Sequence, residues 1–133
     1  MEFRFDASDF KEVVEVDFQD GAGPVPAHQH IKGGGWVAET AHVDDDCYVG
    51  PFALVYGEAR VTDNAIVNDY ARVYGNAQIY GKAKVYGDCQ VYDEAQIYGE
   101  ARVSGHCKVY GKAKVLDNAM VYDNAEEIGR AHV

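Results

Sequence analysis

Between Val37 and Glu126 every sixth residue is Val or Ile, with no insertion or deletion, and this regularity constrains the fold more than any other feature. The first position of the fifteen units reads Val37, Val43, Val49, Val55, Val61, Val67, Val73, Ile79, Val85, Val91, Ile97, Val103, Val109, Val115 and Val121. The fifth position is Ala twelve times and Cys three times. Fixed internal periods mark solenoids, whose repeats bury their apolar side only by stacking on one another. A six-residue period matches neither the helical period of about 3.6 nor plain strand alternation. It fits a short strand followed by a sharp corner, three times per turn of a triangular column. The β-branched residue fills the interior, and the small residue lets the wall bend close to its neighbours.

The third position supplies the corner. It is Gly at 57, 75, 81, 87, 99, 105 and 111, and Asp at 45, 63, 69, 93, 117 and 123. Both residue types tolerate turn conformations that branched side chains resist. Fifteen units then make five coils of eighteen residues. At about 4.8 Å per parallel strand the column is roughly 24 Å tall.

The unit Val49-Gly50-Pro51-Phe52-Ala53-Leu54 closely resembles the repeat of the hexapeptide-repeat superfamily, and the array as a whole resembles its left-handed parallel β-helix. The run VYGNAQIYGKAKVYG over 73–87, led by GGWV at 34–37, is similar to a subgroup found in bacterial and prophage genomes. The resemblance implies an all-β fold of about five coils, and it implies little about activity because fold does not dictate function. Enzymes of the superfamily use a histidine as general base in acyl transfer, or three histidines as zinc ligands, and trimers are its usual assembly.

Three segments are expected: 1–36 as an N-terminal cap with a Gly/Pro-rich loop, 37–126 as the β-helix, and 127–133 as a tail. Phe3, Phe5, Phe10, Val13, Val14, Val16 and Phe18 give the first segment apolar surface to cover the first coil. Residues 15–19 alternate like a strand, Ser8 or Asp9 is placed to cap a short helix through Val14, and loops are expected over 21–26 and 33–35. At the other end Ile128 arrives one residue late for the frame. An unpaired last coil there invites another chain; end-to-end association and a chain cut short of its natural cap both fit.

The net charge of −10 repels nucleic acid and anionic membranes, so direct nucleic-acid or membrane binding is not expected. No long apolar run or leader is evident, which points to a cytoplasmic protein. Cys47, Cys89 and Cys107 all take the fifth position and read as small buried apolar residues. Cys89 and Cys107 stand one coil apart, within disulfide reach, but reduced thiols suit the compartment better. No cofactor is implied.

Candidate chemistry is sparse. His106 occupies a turn position and is a weak candidate general base; His42 lies on another face, too far to share a metal with it. His28 and His30 form an H-x-H, a weak metal candidate lacking a third ligand, and solvated loop histidines are the simpler reading. Asp44, Asp45 and Asp46 read as a solvated turn rather than a calcium loop. The basic residues of the sixth position read as a solubilising ladder. Active relatives usually interrupt the coils with a loop, and an unbroken prism with flat walls offers no cleft except between subunits.

Tyrosine is the most distinctive surface residue, with eight of ten in the second position. Folding the units three to a coil stacks Tyr56, Tyr74, Tyr92 and Tyr110 in one row, puts Tyr80 over Tyr98, and separates Tyr86 from Tyr122 by Ser104. Such a row stabilises the sheet, and it also offers a rigid aromatic strip for a protein or a sugar. The leading expectation is therefore a non-catalytic scaffold or protein-interaction module that self-associates through a face or an end. An acyl-CoA-dependent acyltransferase with an intersubunit site comes second, and an acidic inhibitor mimicking nucleic acid third.

Overall fold

The computed structural model describes residues 12–123 and the backbone of 126–128. The chain is an all-β parallel solenoid of about five turns, with no helix among the described residues. Its walls are three sheets. The first has eight strands: β1 (Val14–Asp17), β2 (Pro24–Gln29) and β3 (Trp36–Ala38), followed by Leu54–Val55, Arg72–Val73, Gln90–Val91, Lys108–Tyr110 and Glu126–Ile128. The second has five strands, from His42–Val43 to Lys114–Val115, and the third five, from Tyr48–Val49 to Met120–Val121.

Parallel pairing joins each residue to the one eighteen positions on, as in Gln78↔Gln96, Lys84↔Arg102 and Gln90↔Lys108. The eighteen-residue coil expected from the spacing is therefore the register of all three sheets. Between strands the wall is held by bonds such as Glu58 N–H to Gly75 C=O (2.9 Å) and Lys82 N–H to Gly99 C=O (2.7 Å). Corner amides thus have partners in the next coil, as buried or bent backbone requires.

The core is a column of first- and fifth-position side chains. Val37, Val49 and every first-position residue from Val55 to Val115 are fully buried, as are Cys47, Cys89 and Cys107. Ala41 and Val43, at the start of the second sheet, are half-buried. Above them no earlier strand pairs with His42–Val43 among the described residues.

The corners use left-handed backbone at every third position from Gly57 to Asp123, with φ between 56° and 83°. Asp45, counted in the corner series from sequence, does not adopt it, nor does Pro51, whose ring holds φ negative. At Gly87 an added Cβ would lie 2.6 Å from the Gly105 carbonyl oxygen, so the coils approach too closely there for a side chain. Where Asp replaces Gly, its carboxylate reaches the next coil. Asp63, Asp69 and Asp93 accept from the amides of Gly81, Gly87 and Gly111 at 2.9, 3.0 and 3.0 Å.

The N-terminal segment departs from its expected outline. The strand expected over 15–19 is present as β1, Val14–Asp17; Val14 opens this strand rather than ending a helix, and Ser8 and Asp9 lie outside the described residues. The loop expected over 21–26 ends earlier, because Pro24–Gln29 forms β2, antiparallel to both β1 and β3. Pro26 can sit in this strand because its carbonyl accepts from Glu39 N–H (2.9 Å), just beyond the end of β3. An antiparallel residue turns N and C=O to the same side, so the missing donor faces a place where pairing has already ended. Residues 32–35 run along the edge of the third sheet: Val49 N–H donates to Lys32 C=O and Gly35 N–H to Val49 C=O. At the far end the backbone keeps its register, so Glu127 pairs with Val109 and Ile128 with Tyr110.

Candidate functional site

The tyrosine row expected from the spacing is a stack of parallel rings. Tyr56–Tyr74, Tyr74–Tyr92 and Tyr92–Tyr110 have centroids 4.9, 5.0 and 5.1 Å apart and planes within 6°. Tyr80 and Tyr98 stack likewise at 4.8 Å on the second sheet. The eighteen-residue register forces this spacing, since one coil's rise equals a comfortable stacking distance. Burial in the stack pushes the Tyr74 phenol up to about 12, helped by Tyr56 and Tyr92 on either side. Tyr56 is also raised by burial, opposed by the neighbouring Arg72 side chain.

One ring of the stack lies outside the repeats. Phe18 sits on Tyr56 at 4.8 Å, within a small apolar cluster with Ala27, Ala38, Trp36 and Leu54 on the outer face of the first sheet. The signal for this was weak, because Phe18 follows β1 and is placed only by the antiparallel hairpin.

The ring faces of Tyr74 and Tyr92 are covered by their neighbours in the stack, which leaves edges and hydroxyls to the outside. The hydroxyls are used as well. Tyr74 O–H donates to Gln90 Oε1 (3.1 Å) and Tyr80 O–H to Gln96 Oε1 (3.2 Å). Each bond orients one glutamine among the sixth-position residues.

Those residues border grooves that the expectation of flat walls missed. Fourth- and sixth-position side chains point outward while the fifth sinks inward, so a shallow channel runs along each corner. Such channels enclose about 450 Å³ beside Lys84 and Arg102, 510 Å³ beside Tyr70 and Arg72, and 570 Å³ beside Glu58 and Arg60. The second of these contains Phe52 and Tyr70, stacked at 5.4 Å and both more than 60% exposed. The signal was available, since both rings occupy the fourth position one coil apart.

Histidines fall into two groups. His106 is exposed at its corner, with Nδ1 3.2 Å from the Asp88 carboxylate in the preceding coil. His42 Nε2 lies 2.8 Å from Asp44, whose other oxygen accepts Asp63 N–H at 3.0 Å. That backbone bond first, then His42, holds the Asp44 carboxyl below its usual range. Asp44 is thus engaged across the coil rather than part of a merely solvated turn.

His28 and His30 are not solvated loop residues, as their sequence context suggested. His28 lies in β2 opposite the core residue Val37, and both histidines are buried. His28 Nδ1 is 3.2 Å from Glu39, and His30 Nε2–H donates to Cys47 C=O at 2.7 Å. Desolvation dominates and lowers the His30 pKa, although its bond to the carbonyl opposes the shift. No group of three metal-ligating side chains occurs among the described residues.

The cysteines are buried and free, as their position implied. Burial pushes the Cys47 thiol up to about 11 and Cys89 to about 12, far from a reactive thiolate. No helix among the described residues is long and apolar enough to cross a membrane.

The YdcK β-solenoid repeat family model matches residues 77–93 and 95–111. The two matches begin one coil apart, in step with the observed register. The chain is a β-solenoid repeat protein. No curated protein and no solved structure matches it.

Proposed function

We propose that this β-solenoid is a non-catalytic scaffold or protein-interaction module, cytoplasmic and oligomeric, that presents its tyrosine column and self-associates through a face or an end. The observation that carries this reading is the Phe18–Tyr56–Tyr74–Tyr92–Tyr110 stack. It makes one wall a stiff aromatic strip whose rings are held by stacking and whose Tyr74 hydroxyl is already bonded, so docking costs little side-chain entropy. The partner is a second copy of the chain or another protein; a net charge of −10 disfavours nucleic acid. Solution mass by light scattering over a wide concentration range tests this. A trimer, or a mass that grows with concentration and falls in Tyr92→Ser, is expected. A monomer at every concentration sinks the self-association reading.

A second reading, the acyl-CoA-dependent acyltransferase with an intersubunit site, is favoured by one contact. The Asp88 carboxylate lies 3.2 Å from His106 Nδ1, a placement that favours a proton on that nitrogen and leaves Nε2 to act as the base toward an acceptor substrate. The Asp88–His106 pair stands on an exposed corner, so a neighbouring subunit must exclude water from it. Thermal protection by millimolar acetyl-CoA, lost in His106→Ala, supports this reading; no protection eliminates it.

A further inference from the structure

Fifteen residues occupy the fourth position of the repeats, and only Phe52 and Tyr70 among them are Phe, Tyr or Trp. The eighteen-residue spacing puts both on the corner between the third and first sheets, where they stack at 5.4 Å. They are 64% and 61% exposed, unlike the half-buried rings of the tyrosine column. The next residues down this row are Asp88 and His106, so the ring stack ends at Tyr70. Exposed rings gathered at one place on an otherwise polar corner mark a contact surface rather than a core.

The groove beside them, about 510 Å³, is completed by Leu54, Arg72, Asp88 and Gln90. One of its polar groups is already held. Tyr74 O–H donates to Gln90 Oε1 (3.1 Å), which leaves the amide NH2 of Gln90 as donor, and Arg72 completes the polar lining. The tyrosine column thus preorganises the wall of the groove, and preorganised polar groups bind without paying again for ordering.

The geometry points to a carbohydrate site here, with a pyranose stacked on Tyr70 and its hydroxyls held by Arg72, Asp88 and Gln90. A sugar ring has one C–H-rich face and a rim of hydroxyls, which suits one aromatic platform flanked by planar donors and acceptors. Phe52 covers one face of Tyr70, so the sugar takes the other, on the side of Asp88. A nucleotide fits poorly, since its base favours stacking on both faces and its phosphates meet a chain of charge −10. A wholly apolar ligand would bury Asp88 and Arg72 without replacing their water. The groove continues along the corner, so a neutral oligosaccharide can enter with its ends free. This inference rests on the reading of the column as a binding module and names a ligand class for it.

The test is saturation-transfer NMR of the intact chain against short, soluble, neutral gluco-, manno- and galacto-oligosaccharides, followed by calorimetry on any that bind. Binding by at least one configuration is expected. Tyr70→Ala should weaken it about tenfold or more, Tyr70→Phe should retain it, and Gln90→Ala should weaken it partly. Because Tyr70 is exposed, the thermal midpoint of Tyr70→Ala should stay near wild type, which separates lost binding from lost fold. The inference is overturned if no neutral sugar binds at millimolar concentration, or if binding survives Tyr70→Ala, or if adenosine monophosphate binds in place of sugars. A column that self-associates yet ignores every sugar overturns this inference alone and leaves the scaffold reading standing.

Discussion

Phe18 lies over Tyr56 with ring centroids 4.8 Å apart and planes 15° from parallel, so the N-terminal hairpin supplies the first ring of a column that the repeats continue. Tyr56 is nearly fully buried as a result, whereas Tyr74 and Tyr92 are half-buried. Phe18→Ala should therefore cost about 3 kcal/mol, the low end for removing a buried aromatic. The loss should be local: amide exchange should quicken in β1 and β2 and stay slow around Val85 and Val103. Uniform acceleration through the column would show that the hairpin and the coils unfold as one unit.

The corners separate backbone strain from hydrogen bonding. Asp93 has φ 58° and accepts Gly111 N–H at 3.0 Å. Asp93→Gly relieves the left-handed strain and loses the bond, so the two effects nearly cancel. Asp93→Ala loses the bond and keeps the strain, and should be less stable than the Gly variant by about 1–2 kcal/mol. Gly87→Ala adds contact with the Gly105 carbonyl to the same strain and should be worse than Asp93→Ala. Denaturant midpoints give all three, and equal values for the Gly and Ala variants at 93 would refute the argument.

Acid should loosen the N-terminal end. His30 is held neutral by burial, with its pKa below 6.5 in the fold. The unfolded chain binds the proton first, so this contribution is complete above pH 6.5 and is lost as pH falls through the folded value. The exposed Asp44, also lowered, adds a smaller loss below 3.8. Thermal midpoints taken downward from neutral pH should fall, and His30→Gln, which keeps a donor for Cys47 C=O, should flatten the decline that begins near 6.5. An unchanged slope in that variant would rule His30 out as the cause.

Alkali acts with the opposite sign. Cys47 at about 11, and Cys89 and Tyr74 at about 12, all have raised values, so the fold holds protons that the unfolded chain gives up. Their stabilisation is complete below pH 9.0, where an unfolded thiol begins to ionise, and declines above it. A thiol reagent at neutral pH should label none of the three cysteines without denaturant, and phenol absorbance should show Tyr74 titrating late. Rapid labelling of Cys89 in the folded chain would contradict its burial.

Much of this molecule was legible in its repeats. The eighteen-residue coil, the buried Val and Ile column, the fifth-position cysteines and the Tyr56–Tyr110 row all follow from a period that admits one packing. A residue moved out of step would place a charge in the core or break a corner. Asp63 and Gly81 illustrate the limit of that legibility. Their positions in the frame were plain, but the bond between the Asp63 carboxylate and the Gly81 amide depends on how closely two coils approach.

The candidate site was read less completely. The stacking of Tyr56, Tyr74, Tyr92 and Tyr110 was legible in the spacing, whereas the Phe52–Tyr70 stack lies in a position that is polar elsewhere. The bond from the Tyr74 hydroxyl to Gln90 could not be read at all, since it needs side-chain directions on neighbouring strands. His28 and His30 were misread because an H-x-H among prolines has the composition of a loop.

What the sequence alone determined is the part governed by its period: which residues face inward, how many make a coil, and which stack upon which. Periodic order is local order repeated, so identical short-range rules settle it. The tertiary structure decided what is not periodic. It paired β2 with β3, buried His28 and His30, and set Phe18 on Tyr56. Those features come from contacts between segments of different pattern, whose geometry no repeat encodes.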